Sequence, residues 1–279
     1  MQLRILHTTG YEYDGRVVAS YNEARLTPLT SPDQIVVHSR LDVSPTPWAY
    51  TYRDYFGTQV TAFEVLDPHT SLTVTSVATV HTNRAPARPP TLDWAALAEP
   101  VVAETHTEYL AVPALVRPTD DLAERVAKLG AASSRPADAA AAVCALVYDE
   151  VEYRTGSTDV QSRAADAWVQ RAGVCQDIAH LVIGSLRSLG IPARYVSGYL
   201  HPSVDPVVGE TVEGESHAWV EWWDDGWCGF DPTNDQPIGD RHVVTATGRD
   251  YGDVRPLSGI FSGAVTSSMF VNVAVTRLA

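Results

Sequence analysis

The sequence predicts an α+β protein: an N-terminal antiparallel β domain, then a core in which a central helix packs on an antiparallel sheet. Three observations predict it. Apolar and polar residues alternate with period two up to about residue 82, between turn-forming clusters such as Ser31-Pro32-Asp33, Ser44-Pro45-Thr46-Pro47 and Asp67-Pro68. After Leu92 the composition shifts toward alanine, leucine and acidic residues at helical spacing. Past Tyr153 the chain becomes glycine-punctuated and tryptophan-rich, with one strong helix followed by a hairpin pattern.

In the first region Ile35, Val37, Leu41 and Val43 are expected on one strand face, and Leu72, Val74, Ala78 and Val80 on another. Short strands at this spacing suggest a sandwich-like domain over residues 1–84. The proline-rich stretch Ala85 to Pro90 reads as a linker, so residues 85–150 are assigned as linker plus the helical part of the core. Asp120 to Leu129 and Pro136 to Glu150 are its clearest helices. Ala141, Cys144, Ala145 and Tyr148 share helical spacing, which makes Cys144 a packing residue. Residues 151–279 complete the core, with C-terminal strands.

Composition narrows the function classes. With 45% hydrophobic residues the 279-residue chain can bury a substantial core. A net charge of -14 argues against nucleic acid, which needs a clustered basic face. Only one of 20 basic residues is a lysine, Lys128. No apolar run approaches the roughly 18 residues of a membrane span, and no membrane partner is expected. Met1 to Gly15 has no basic segment followed by an apolar stretch, which leads to the expectation of a cytoplasmic protein. The cysteines, Cys144, Cys175 and Cys228, are odd in number and widely spaced, so neither a disulfide framework nor a C-x-x-C zinc site is expected.

The chemistry concentrates in two segments. Ile178, Val182, Leu186 and Leu189 form a stripe that marks an amphipathic helix with one buried face, stopped by Gly190 and Pro192. Its start falls near Gly173 to Cys175. The Cys175 thiol therefore sits in the first turn, where free N–H groups and the helix dipole favour a thiolate. Gly173 permits close backbone approach, and polar Gln176 and Asp177 follow; a core cysteine needs none of these.

Downstream, alternation sets His217, Trp219, Glu221 and Trp223 on one face of a strand and Ala218, Val220 and Trp222 on the other. Asp224-Asp225-Gly226 turns this strand into a second one ending at Asp231. His217 and Asp231 are thereby side by side. A thiol needs a base, and the base needs an acceptor that fixes its tautomer. Cys175, His217 and Asp231 supply those roles. A metal site of Cys175, His217, Cys228 and Asp231 is disfavoured, because Cys228 and Asp231 lie three residues apart on one strand and point to opposite faces.

These motifs resemble the transglutaminase-like superfamily, and in detail its bacterial cysteine protease branch with an N-terminal β domain. The resemblance rests on Gly173-Val-Cys-Gln-Asp-Ile-Ala-His-Leu181, Gly190-Ile-Pro-Ala-Arg-Tyr-Val-Ser-Gly-Tyr199, Ser216-His-Ala-Trp219 and Gly229-Phe-Asp-Pro-Thr-Asn234. Gly248-Arg-Asp-Tyr-Gly-Asp-Val254, Asn22-Glu-Ala-Arg-Leu-Thr-Pro28 and Asp54-Tyr-Phe-Gly57 extend it to nearly the whole chain. Ser216, preceded by Glu215, stands where the family often has alanine, and Thr58 where asparagine is common. The resemblance implies a papain-like core with Cys175 as nucleophile, His217 as base and Asp231 as its orienting partner. Asp177 and Asn234 are implied as supporting residues, with Gln176 beside them, and Arg249 and Tyr251 as part of a substrate cleft. Of the aromatic residues around the site, Trp219 and Tyr199 are candidates to line that cleft, although core packing is expected for at least half of the group that also includes Trp222, Trp223 and Trp227.

The implied activity is acyl transfer on a peptide or protein amide through a thioester. Hydrolysis is favoured over amine-accepting cross-linking, because keeping water from a thioester needs special shielding. No metal or other cofactor is expected, since no D-x-D-x-D-G calcium loop is present. A non-catalytic binding module on the same fold is the contrasting reading.

Overall fold

The computed structural model describes residues 1–214 and 216–279; Glu215 lies outside the described residues. The chain opens with β1 (Gln2–Val17), β2 (Ala19–Ala24), β3 (Gln34–Ser44), β4 (Trp48–Arg53), β5 (Gln59–Val65) and β6 (His69–Thr82). Helices α1 (Trp94–Leu97), α2 (Pro100–Thr105), α3 (Asp120–Ala132) and α4 (Pro136–Glu150) follow, then β7 (Glu152–Tyr153), α5 (Ala164–Gln170), β8 (Ala172–Gly173) and α6 (Cys175–Ser188). The remainder comprises β9 (Ala193–Leu200), β10 (Thr211–Gly214), β11 (Ser216–Trp223), β12 (Trp227–Asp231), β13 (Gln236–Pro237), β14 (His242–Gly248), α7 (Tyr251–Val254), β15 (Leu257–Ser262) and β16 (Ser267–Arg277).

Among the described residues three antiparallel sheets organise these strands, in orders β10-β16-β1-β6-β3, β15-β2-β5-β4 and β13-β12-β11-β9-β14, and β7 and β8 pair separately in parallel. The first two face each other around Tyr13, Val17, Leu26, Phe63, Val65, Leu72 and Val74, so the N-terminal region is a sandwich. Assignment of the closing strands to the catalytic core needs revision: β10, β15 and β16 complete the two sandwich sheets, with β16 paired to β1 from Leu3↔Arg277 to Tyr13↔Ser267. Strands do not respect sequence order where a free edge is available for pairing.

The face expected for β3 changes along its length. Leu72, Val74, Ala78 and Val80 of β6 are all buried as expected, but Ile35 and Val37 are exposed. A register shift between Val36 and His38 is the cause. The extra residue inverts which positions point inward, so Val36 packs at one end while Leu41 and Val43 pack at the other.

Helix α6 is more deeply placed than its stripe suggests. Every residue from Gln176 to Arg187 is buried, because α3, α4 and α5 pack around it and β11 lies against it. Gly184 allows this: a Cβ there would stand 1.7 Å from the Val116 carbonyl oxygen. Buried Arg187 is held by the carbonyls of Ala111, Ala193 and Arg249. In α4 Cys144 is fully buried, as expected, and burial pushes its thiol pKa up. The buried stripe is Ala140, Val143, Cys144 and Val147, whereas Ala141, Ala145 and Tyr148 turn outward.

The segment after Thr82 is tied down. The Arg88 guanidinium bonds the Asp224 and Asp225 carbonyls, and the buried Asp224 carboxylate accepts the Thr91 and Leu92 N–H groups at 2.9 and 2.7 Å. Cys228 lies under this segment, 3.7 Å from Arg88. Among the described residues no helix is long and apolar enough to cross a membrane.

Candidate active site

The site is assembled from the head of α6 and the hairpin β11–β12. Val174 precedes α6 with extended backbone, and the Asp177 carboxylate turns back to accept the Val174 N–H at 2.8 Å. Gly173 makes room for this: a Cβ there would lie 2.8 Å from Asp177 Cβ. The same Asp177 oxygen accepts the Thr158 hydroxyl at 2.5 Å. Asp177 thus fixes where Cys175 enters the helix. Cys175 is half-buried, and its N–H and that of Gln176 lie in the first turn, where no carbonyl four residues back is available.

Asp225 with φ 57° and Gly226 with φ 145° close the predicted hairpin, pairing Trp223↔Trp227 through Val220↔Phe230. His217 Nε2 donates to Asp231 Oδ2 at 2.8 Å. That leaves Nδ1 for the hydrogen bond His217 shares with Cys175. Asn234 Nδ2 donates to the same Asp231 oxygen at 2.7 Å, while the Thr233 and Asn234 N–H groups reach Oδ1 at 3.1 and 3.3 Å.

Burial alone would lower the His217 pKa, but its hydrogen bonds to and electrostatic attraction by Asp231 and Cys175 outweigh it and push it up to about 10. Burial likewise disfavours the Asp231 carboxylate, yet bonds from His217, His242 and Asn234 hold it well below the usual range. Both shifts favour the imidazolium–carboxylate form of the pair.

His242 is a partner that motif reading missed. Its Nδ1 accepts the Gly239 N–H at 3.1 Å, so Nε2 carries the proton and donates to Asp231 Oδ2 at 3.3 Å. No local pattern marks it. His242 reaches Asp231 because β14 pairs with β9, which pairs with β11.

The expected cleft residues divide. Trp219 is fully buried against the His242 ring at 5.3 Å, and Tyr199 is sealed by His7, whose Nδ1 lies 2.9 Å from the Tyr199 hydroxyl. Both are packing residues and line no cleft. Gly198 lets Trp219 lie so close, since a Cβ there would stand 2.7 Å from its ring. Arg249 pairs with Asp253 at 2.8 and 2.9 Å and points its guanidinium toward Phe56. Tyr251 does pack in the cluster that includes Cys175, and its N–H donates to His180 Nε2 at 3.1 Å.

An open cleft of about 500 Å³ adjoins His217, lined also by Tyr153, Leu200, Pro202, Glu213, Thr233 and Asn234. Among buried groups without a partner is Gln176 Nε2, one residue from the thiol. Among the described residues no cluster of three or more His, Cys, Asp or Glu side chains is arranged to hold a metal ion.

A helix-borne thiol facing a strand-borne imidazole and carboxylate defines the class of papain-like thiol sites. Residues 3–81 match the bacterial transglutaminase-like N-terminal region and residues 121–232 the transglutaminase-like superfamily core. An uncharacterized Mycobacterium leprae protein is 44% identical over 278 residues, covering 100% of this chain and 99% of that protein. A Cytophaga hutchinsonii structure described as a "putative cysteine protease" aligns with TM-score 0.76 and 26% identity, over 98% of this chain and 90% of that one. A 67-residue stretch is 39% identical to a Pseudomonas aeruginosa protein-glutamine gamma-glutamyltransferase, covering 23% of this chain and 10% of that protein. The chain belongs to the transglutaminase-like superfamily.

Proposed function

We propose that the protein is a cysteine-dependent acyl-transfer enzyme acting on peptide or side-chain amides, with water as the final acceptor. The observation that carries the reading is the His217 Nε2–Asp231 Oδ2 bond of 2.8 Å, which orients the other ring nitrogen toward Cys175. The Cys175 sulfur attacks the amide carbonyl, and the C–N bond breaks as His217 passes its Nδ1 proton to the leaving nitrogen. Neutral His217 then takes a proton from water, whose oxygen attacks the thioester carbonyl and releases the acid and Cys175. The first-turn N–H of Cys175, with the unpartnered Gln176 amide, suits the oxyanion of each tetrahedral intermediate.

Support for hydrolysis over amine transfer comes from the cleft, which opens to solvent beside His217 and gives water access to a thioester. The extent of likeness points the same way: nearly the full chain aligns with the Cytophaga protein, against a short stretch of the glutamyltransferase. The test is incubation with a peptide library, with and without an added primary amine, read by mass. Acid products formed irrespective of amine, and absent with Cys175→Ala, are expected. Amine adducts as the main product would replace hydrolysis with cross-linking, and full turnover by Cys175→Ala would end the enzyme reading.

A further inference from the structure

The outer face of the sheet β15-β2-β5-β4 carries a groove of about 490 Å³ that no part of the candidate active site uses. Strand register places Ile260, Tyr21, Glu64 and Trp48 in one cross-strand row and Ser258, Glu23, Ala62 and Tyr50 in the next. Residues directly opposite one another in antiparallel strands share a face, so these side chains all project to the same side. Small Ala62 leaves a dent between the rings. Trp48, Tyr50 and Tyr21 are 64%, 52% and 50% exposed, a large aromatic area to leave in water.

The charge of the groove is one-sided. Glu23 is compensated, with Oε1 accepting the Tyr52 hydroxyl at 2.6 Å and Oε2 accepting Arg25 at 2.9 Å. Glu64 stands between Tyr21 and Trp48 and has no hydrogen bond or ion pair among the described residues. Among the described residues no basic one lines the groove. Ring faces are electron-rich, and an unpaired carboxylate is negative, so both attract the same kind of group, a cation. The rings also argue against a flat sugar-stacking platform: Trp48 and Tyr50 lie 5.4 Å apart with planes inclined by 52°, which makes walls.

We infer that this groove is a docking site for a basic polypeptide segment, taking a lysine or arginine head between Tyr21, Trp48 and Tyr50 against Glu64. It stands independently of the catalytic reading. β15, which forms one wall, follows α7, whose Tyr251 packs against the same buried cluster as Cys175.

The experiment titrates the full chain carrying Cys175→Ala into a fluorescein-labelled glycine–arginine peptide, followed by anisotropy. Parallel titrations use the same peptide with citrulline for arginine, and a labelled cello-oligosaccharide. The expected result is saturable binding of the arginine peptide, weakened about tenfold by Glu64→Gln and by Trp48→Ala, with the citrulline peptide bound about tenfold more weakly. Unchanged melting temperatures confirm that the exposed substitutions leave the fold intact. The inference is overturned if the arginine peptide fails to saturate, if it binds the Glu64→Gln protein undiminished, or if the citrulline peptide or sugar binds as tightly. With the nucleophile removed, failure here leaves the catalytic reading untouched.

Discussion

Two histidines sit against consecutive positions of β9, and one is held charged while the other is held neutral. His217 lies across from Gly198 and has its pKa raised to about 10. His7 reaches Tyr199 from β1, and burial lowers its pKa to about 4. His7 is the deeper of the two, fully buried where His217 is half-buried beside the cleft, but depth alone does not distinguish their charge. The partner does: His217 meets a carboxylate and a thiol, whereas His7 meets a neutral phenol and leaves Nε2 without a partner. One strand therefore supports a charged ring poised for proton transfer and, one residue along, a neutral ring that seals the seam between the sandwich and the catalytic sheet.

The most drastic way to break the contrast is His217→Ala, which is expected to cut amide turnover by at least about 10⁴-fold while leaving the melting curve cooperative. Stopped assays on a confirmed substrate measure it. Asp231→Asn sharpens the contrast by making the His217 environment more like that of His7. Turnover should fall about 10³-fold, and the alkaline limb of the pH–rate profile, set near 10 by His217, should move to lower pH because a raising charge is gone. A limb that stays in place would show that the carboxylate does not govern the ring.

Stability should respond to pH with opposite signs at the two rings. The His217 contribution is fully present below its unfolded value of 6.5 and is lost as pH rises through about 10. Asp231, depressed from 3.8, contributes above that value and loses its contribution as pH falls further. His7, depressed from 6.5 to about 4, contributes above 6.5 and loses it as pH falls toward 4. That 2.5-unit gap corresponds to about 3 kcal/mol at most. Denaturant melts at about pH 7.5 and 4.5 should show this loss together with that of His180, which burial lowers to about 3, and His7→Leu should remove the His7 share while leaving the rest. The smallest effect expected is that of Tyr199→Phe, which strips the His7 ring of its partner at a cost of about 1–3 kcal/mol without shifting the pH–rate profile.

Much of the site was legible because its determinants are short-range. Asp177 turning back on Val174 is a one-turn event, and the Asp224-Asp225-Gly226 turn is a three-residue event. Each places its side chain through local backbone geometry alone. The reading of Trp219 and Tyr199 as cleft residues failed for a non-local reason. Alternation shows that a ring leaves a strand on one side, but not what covers it, and here His242 and His7 do so from β14 and β1. His242 itself belongs to the same category, as does the half-buried, half-exposed course of β3 around its bulge.

By itself the amino-acid order determined the α+β class, the helix head that presents Cys175, and the hairpin that sets His217 beside Asp231, since capping, turn and periodicity act within a few residues. Only the tertiary structure decided that β10, β15 and β16 complete the N-terminal sheets and that His242 shares the Asp231 carboxylate. Those outcomes depend on pairing between segments up to the length of the chain apart, such as Leu3 with Arg277, where many partners satisfy the same alternation and the packed sheets select one.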